Sequence, residues 1–317
     1  MNAPRNGAAA AVRIVEVGPR DGLQNEAGIV PLAVKRELVL RLARSGLAQI
    51  EAGAFVSPRR VPQMADSAAL LRELTAQPEL RGIGLPVLTP NLQGFEAALA
   101  AGARSVAVFA AASETFSQRN IQCSIAQSLQ RFEPVLAAAH AARIPVRAYL
   151  SCVVACPYEG PVAPAAVAPL AEQLRAMGCY EISLGDTIGA GTPGTVLPLL
   201  EAVARVVPVA ELAGHFHDTY GMAVANVYAA YGFGLRCFDA SVAGLGGCPY
   251  APGASGNLAT EDLVYLFDGL GVATGIDAAA LAQCGAWICA QLGRTNQARA
   301  GAAQLARAQR AGTERGQ

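Results

Sequence analysis

Eight times along the chain, a short β-branched or apolar run is followed by an Ala/Leu-rich stretch with helical spacing. The runs are Arg13–Val17, Gln49–Ala52, Ile83–Leu88, Ser105–Ala110, Val146–Cys152, Glu181–Leu184, Leu212–Phe216 and Phe238–Val242. The stretches between them are Pro31–Ser45, Asp66–Ala76, Asn91–Ala101, Ser124–Ala142, Pro164–Met177, Pro193–Val206, Met222–Phe233 and Thr260–Leu270. Several open on Pro or a capping residue and close on Gly, as helices do: Pro31 with Gly46, Asn91 with Gly102, Pro164 with Gly178, Thr260 with Gly271. Strands with few polar positions, alternating with helices, argue for a parallel sheet covered on both faces. Eight such units in about 250 residues predict an α/β fold of the closed (β/α)8 TIM barrel type. An open doubly wound sheet is the rival architecture. It would carry a glycine fingerprint after its first strand, and Gly18-Pro19-Arg20-Asp21-Gly22 does not have the GxGxxG spacing. Residues after Asp277 predict one or two additional C-terminal helices. The expected organisation is a disordered N-terminal tail over 1–12, a single barrel domain with its C-terminal helices over 13–297, and a helical or frayed tail over 298–317.

Composition excludes several function classes. The chain is 53% hydrophobic, 15% charged and formally neutral, which describes a large buried core and not a disordered polymer. No basic run offers a footprint for nucleic acid or a membrane surface. The longest apolar stretch, Ala97 to Ala112, is broken by Gly102 and Arg104, so no transmembrane helix is expected. The first dozen residues have neither the apolar core of a signal peptide nor the Ser-rich, multiply basic character of a transit peptide, which predicts a cytoplasmic protein. The eight cysteines form no CxxC pair and fall mostly in apolar segments, so they are expected to be reduced and buried.

A barrel of this kind builds its active site at the C-terminal ends of its strands. The polar residues gather there, while the strand starts read as plain. Arg20-Asp21-Gly22-Leu23-Gln24-Asn25-Glu26 follows the first run, and Glu51 ends the second inside a very apolar context. Ser113, Glu114 and Thr115 follow the fourth, and Asp186 and Thr187 the sixth. The seventh carries His215 and His217, two of only three histidines in the chain. In a strand, residues i and i+2 point to one face, so these imidazoles aim at a common point, as a metal site requires. Two half-buried histidines satisfied by hydrogen bonds are the plainer alternative. Asp21 and Asn257 complete a candidate set of two imidazoles, one carboxylate and one amide oxygen. That set lacks sulfur and suits Mg²⁺ or Mn²⁺ better than zinc. Taken singly, Asp21 also reads as a turn cap and Asn257 as a helix N-cap. Cys248 lies in the glycine-rich stretch Gly244–Asn257 and reads either as an incidental turn residue or as an acid or nucleophile over the barrel mouth. Asp218 and Tyr220 are candidates for orienting the imidazoles, and His140, on a helix among alanines, for a surface position.

Several stretches resemble the 3-hydroxy-3-methylglutaryl-CoA lyase family: Val17–Glu26, Pro86–Asn91, Cys179–Thr187, His215–Gly221 and Gly244–Asp262. The similarity runs from about Arg13 to about Leu292. The cysteine loop is specific to this lyase, whereas the Arg-Asp-Gly and HxH elements are shared with isopropylmalate and homocitrate synthases and with ketoacid aldolases. The resemblance implies a metal-dependent (β/α)8 barrel that cleaves (S)-3-hydroxy-3-methylglutaryl-CoA to acetyl-CoA and acetoacetate, in leucine degradation and ketone-body formation. It implies Mg²⁺ or Mn²⁺ held by Asp21, His215, His217 and Asn257. It implies catalytic roles for Arg20, Asp21, Glu51, His215 and Cys248, with Arg20, Gln24, Ser183, Asp186 and Thr187 contacting substrate or supporting those that do. The general base stays open between Asp21 and His217, with Glu51 as a holder of Arg20 or a proton relay. The implied partner is an acyl-CoA, and the implied assembly a homo-oligomer, dimer or larger. The chain departs from the family at Arg60, where an aromatic residue is expected. It also ends without the terminal cysteine and peroxisome-like signal of some animal forms, in line with a bacterial-type cytoplasmic enzyme. Two alternatives carry the same motifs: a longer branched 3-hydroxyglutaryl-CoA as substrate, and a related acyl-CoA synthase.

Overall fold

The structure is a computed structural model that describes residues 11–247 and 256–314. Ten strands are present among the described residues: β1 Arg13–Glu16, β2 Gly53–Ala54, β3 Val87–Leu88, β4 Val106–Ala111, β5 Val146–Ser151, β6 Ala155–Cys156, β7 Gly160–Pro161, β8 Glu181–Asp186, β9 Leu212–Phe216 and β10 Cys237–Ala240. Eight of them form one parallel sheet in the order β1-β10-β9-β8-β5-β4-β3-β2. The sheet closes where Glu16 bridges Ile50, with the Glu16 N–H donating to the Gln49 carbonyl at 3.0 Å and the Glu51 N–H to the Glu16 carbonyl at 2.8 Å. The predicted (β/α)8 barrel is therefore observed.

Helices α1 Leu32–Arg44, α2 Ser67–Thr75, α3 Leu92–Ala100, α4 Glu114–Ile121, α5 Ile125–Ala142, α6 Pro164–Ala176, α7 Pro193–Val203, α8 Ala223–Phe233, α9 Thr260–Gly269, α10 Ala278–Leu292 and α11 Arg299–Glu314 accompany the strands. Local chemistry sets their ends. The Ser124 hydroxyl accepts from the Gln127 N–H while the Gln127 side chain accepts from the Ser124 N–H, a reciprocal cap on α5. The Asp277 carboxylate accepts from the Ala279 and Ala280 N–H groups at the start of α10.

Four local expectations need correction. The second strand pairs regularly at Gly53–Ala54, just past the expected Gln49–Ala52, where Gln49 and Ile50 form only isolated bridges, and the third pairs over only Val87–Leu88, since Pro86 before it has no N–H to give to a ladder. Helix α4 is an element absent from the sequence reading; Ser113 caps it by accepting from the Phe116 N–H at 3.1 Å. The hairpin β6–β7 is likewise added after β5. The strand starts are also not plain. Arg147, Glu181 and Asp239 are buried inside the barrel, joined by charge-assisted hydrogen bonds. His140 is exposed, as expected. The cysteines among the described residues are free and buried. No helix among the described residues is long and apolar enough to cross a membrane. The expected N-terminal tail falls almost wholly outside the described residues, and α11 occupies most of the expected C-terminal one.

Candidate metal centre and cleft

Each site residue is placed by the strand or turn before it. After β1 the chain enters a tight helical turn over Gly18–Gly22, which lifts Arg20 and Asp21 to the barrel mouth. Gly22 has to be glycine: a Cβ there would stand 2.8 Å from Leu245 Cβ and 2.9 Å from Ser241 Oγ. On β9, odd-numbered residues face the barrel interior, so His215 and then His217 point toward the turn. Asn257 arrives because the chain after the glycine-rich loop runs back antiparallel beside the end of β9. His217 and Asn257 bridge, the Leu258 N–H donates to the Phe216 carbonyl at 3.0 Å, and the Asp218 N–H donates to the Gly256 carbonyl at 3.1 Å. Residues 21 and 257 are thus brought together across nearly the whole chain.

Candidate ligand atoms of Asp21, His215 and His217 all lie within 4.8 Å of one another. His217 Nε2 stands 4.0 Å from Asp21 Oδ2. Asn257 Nδ2 donates to Asp21 Oδ2 at 2.8 Å and to the Leu245 carbonyl at 3.1 Å. Asn257 is therefore part of the cluster and is not the cap of α9, a place Ala259 takes. Its amide nitrogen, and not its oxygen, faces Asp21. Arg20 donates through Nη1 to Asp21 Oδ1 at 2.7 Å and through Nε to Glu51 Oε2 at 2.7 Å. Glu51 Oε1 and His217 Nδ1 are buried without a hydrogen-bond partner.

The electrostatics follow from burial and these contacts. Burial alone would raise Asp21, but Arg20, then His215 and His217, outweigh it and hold the carboxyl at about 2. Burial, reinforced by the neighbouring His215, pushes His217 down to about 4, so its ring is neutral and keeps a lone pair. Burial raises Glu51, and Arg20 opposes that rise. A hard divalent cation fits this donor set: an ionised carboxylate and two imidazoles whose ligand atoms lie within 4.8 Å of one another, with an amide beside them.

The cluster forms one end of a cleft of about 1030 Å³. Gln24 and Thr187 line it, as expected for substrate contacts. Arg60 lines it too, its guanidinium on Gln122. Ser183 and Asp186 do not line it. The Ser183 hydroxyl donates to Asp239 Oδ2 at 2.6 Å in the strand layer beneath. The Asp186 carboxylate accepts from the Ala190 and Gly191 N–H groups at 3.1 and 2.8 Å and caps the turn after β8. Both therefore stand as supports beneath the cleft and not as part of its wall. Asp218 and Tyr220 do not orient the imidazoles either. Asp218 accepts from the Ala223 N–H at 2.9 Å, and Tyr220 is 70% exposed. Asp239 takes that place: its Oδ2 lies 3.1 Å from His215 Nδ1. Cys248 lies outside the described residues. Its neighbour Gly247 lines the cleft and is tied to the turn after β1, the Asn25 amide donating to the Gly247 carbonyl at 3.0 Å.

Sequence reasoning also missed Tyr149. It lines the cleft between two guanidiniums, 5.3 Å from Arg20 Cζ and 4.9 Å from Arg147 Cζ to the ring centroid. Its ring meets His215 edge-on at 6.1 Å.

Comparison with known proteins agrees with this geometry. The HMGL-like family model matches residues 11–288. The chain belongs to the HMGL-like family. Among its relatives, this HMGL-like chain is 61% identical to hydroxymethylglutaryl-CoA lyase of Pseudomonas mevalonii, over 95% of this chain and 99% of that one. It is 56% identical to the 3-hydroxy-3-isohexenylglutaryl-CoA/hydroxymethylglutaryl-CoA lyase of Pseudomonas aeruginosa, over 97% and 100%. A crystal structure of hydroxymethylglutaryl-CoA lyase from Pseudomonas aeruginosa superposes with a TM-score of 0.90 at 57% identity, covering 94% of this chain and 98% of that one.

Proposed function

We propose that this chain cleaves (S)-3-hydroxy-3-methylglutaryl-CoA to acetyl-CoA and acetoacetate at the cleft described above, with a divalent cation. The observation that carries the reading is the meeting of Arg20 and Asp21, from the turn after β1, with His215 on β9 and His217 just past its end, in one cluster. Asp21, His215 and His217, with Asn257 beside them, would hold the cation, for which Mg²⁺ or Mn²⁺ is the choice their oxygen and nitrogen donors favour. When bound, the cation supplies Lewis acidity at the substrate's 3-hydroxyl, making its proton easier to remove.

The chain's own residues account for the remaining chemistry. The 3-hydroxyl loses its proton to a neutral or anionic group beside it; His217 and Asp21 are both available in those states. The C2–C3 bond then breaks. The oxygen's electron pair forms the ketone of acetoacetate, and the bonding pair moves onto the thioester as an enolate. Arg20, fixed by Glu51 and Asp21, stands ready to donate to the oxygen on which that charge grows. Cys248, which follows Gly247 in the chain, is assigned as the acid that protonates C2 to give acetyl-CoA. Gln24 and Thr187 contact the substrate from the cleft wall.

Purified protein incubated with the thioester and Mg²⁺ or Mn²⁺ should release acetoacetate and acetyl-CoA in equal amounts, and a chelator should stop it. No product with any divalent ion would refute the assignment. A second reading keeps the chemistry and lengthens the acyl branch. It is favoured by the relative named for both isohexenylglutaryl and methylglutaryl thioesters, and relative kcat/KM values on the two decide it. Leucine degradation and ketone-body formation as the setting, a cytoplasmic location and a dimer or larger assembly belong to the same proposal. Light scattering on the purified chain tests the assembly.

A further inference from the structure

We infer that Asp239 is the residue that fixes His215 as a ligand, by imposing its tautomer from inside the barrel, and that Arg147 and Ser183 hold Asp239 in place for this. The inference rests on the reading of His215 as a ligand, and it concerns residues that lie outside the cleft wall.

An imidazole binds a cation only through a ring nitrogen that carries no hydrogen. The other ring nitrogen decides which one that is. His215 Nδ1 lies 3.1 Å from Asp239 Oδ2. Asp239 is buried on β10, and its two oxygens meet donors on every side. Arg147 Nη2 donates to Oδ1 at 2.7 Å and Nη1 to Oδ2 at 3.1 Å. The Ser183 hydroxyl donates to Oδ2 at 2.6 Å. A carboxylate bound to a guanidinium is ionised and can only accept. Nδ1 must therefore bring the proton, which leaves Nε2 bare for the cluster with Asp21 and His217.

The acceptor cannot drift, because its own partners are locked. Arg147 Nε donates to Glu181 Oε1 at 2.6 Å, and Glu181 is held in turn by Arg13. The Arg147 guanidinium also lies on the Tyr149 ring. The line from Arg13 through Glu181 and Arg147 to Asp239 thus carries fixed charge up the barrel to one imidazole nitrogen.

Asp239→Asn separates this role from simple packing. Arginine has no acceptor, so the new amide must turn its oxygen to Arg147. Its NH₂ then faces His215, which turns Nδ1 into an acceptor and moves the ring proton to Nε2, where it blocks ligation. A structural role alone would not move that proton.

The experiment is long-range ¹⁵N–¹H correlation on the full chain, metal-free and labelled at histidine, at pH 8. His215 is assigned by its loss in His215→Gln, and Mn²⁺ binding is measured by calorimetry on the same samples. Wild type is expected to carry the proton on Nδ1. Asp239→Asn is expected to carry it on Nε2, with Mn²⁺ affinity lowered about 10- to 100-fold. Ser183→Ala keeps the ion pair, so it should keep the Nδ1 proton and lose less affinity. A wild-type His215 protonated on Nε2 overturns the inference, even if Asp239→Asn does not fold. So does a folded Asp239→Asn with unchanged tautomer or unchanged Mn²⁺ affinity. A wild type that turns over no thioester yet shows the Nδ1 proton and the Asn-dependent affinity loss would refute the lyase reading and leave this inference standing.

Discussion

Glu16 and Glu51 are buried acidic residues whose backbones meet at the seam between the first and second strands, and the chain uses their carboxylates in opposite ways. Glu16 is saturated by neutral donors: the Gly18 N–H at 2.8 Å, the Val242 N–H at 2.9 Å and the Thr260 hydroxyl at 2.6 Å. Among the described residues no cationic side chain pairs with it, and burial pushes it up to about 7. Those three bonds tie the turn carrying Arg20 to the root of the glycine-rich loop and to α9. Glu51 is half satisfied. One oxygen pairs with Arg20, and the other is buried without a partner. Completely satisfied buried polar groups hold a structure in one shape. An incompletely satisfied ionic one beside a cleft, with a guanidinium shared between two carboxylates, is arranged for chemistry.

The largest effect that would break this contrast is at Arg20. Arg20→Lys keeps the charge but loses the fork that spans Glu51 and Asp21. It should lower kcat about 100-fold or more, by steady-state assay, with the thermal midpoint little moved. A kcat close to wild type would place Arg20 with the purely structural groups. Cys248→Ala should lower kcat by at least about 100-fold with Mn²⁺ affinity unchanged, since it removes the proposed acid and none of the proposed ligands. Glu51→Gln leaves Asp21 as the one ionic partner of Arg20. It should cost about 3 kcal/mol in denaturant unfolding, along with activity.

The smallest effect sharpens the contrast from the other side. Glu16 and Glu261 are raised by burial to about 7 and about 8, from 4.5 for a free carboxyl. In a native chain at pH 6.5 both still hold protons that the unfolded chain has lost. Unfolding then releases protons, and stability falls as pH rises through these values. The thermal midpoint should therefore drop between pH 6.5 and 8.5. Glu16→Gln retains acceptors for Gly18 and Val242 and should flatten that slope with kcat little changed. A slope identical to wild type would mean that Glu16 does not titrate there.

The barrel was legible because βα alternation and capping residues recur along the whole chain, and periodicity over long segments survives local exceptions. The cluster was legible because histidines are scarce and two of them stand at i and i+2 near the end of a strand. What stayed hidden is of one kind. Arg147, Glu181 and Asp239 are isolated charges in apolar strands, and a sequence gives no sign of which buried charge faces which across a barrel. Their pairing spans 34 and 92 residues of sequence. Asp218 and Tyr220 looked like supports for the imidazoles because they are close in sequence. The strand direction turns them away, and the true support comes from the neighbouring strand, where Asp239 registers with His215. The third strand is shorter than its apolar run because Pro86 interrupts pairing there, and the regular pairing of the second starts only at Gly53, past the expected Gln49–Ala52. Asn257 lies beside Asp21 in the structure, its side-chain nitrogen donating to that carboxylate. The reason, a backbone bridge to His217, could not be read in advance.

The account stands on a single cation site shared by the first, seventh and eighth strand–loop units. A crystal of the full chain grown with Mn²⁺ and measured at the manganese absorption edge tests that directly. The account predicts one strong anomalous peak within about 2.0–2.3 Å of Asp21, His215 and His217. A peak elsewhere, or none there at saturating Mn²⁺, would contradict it.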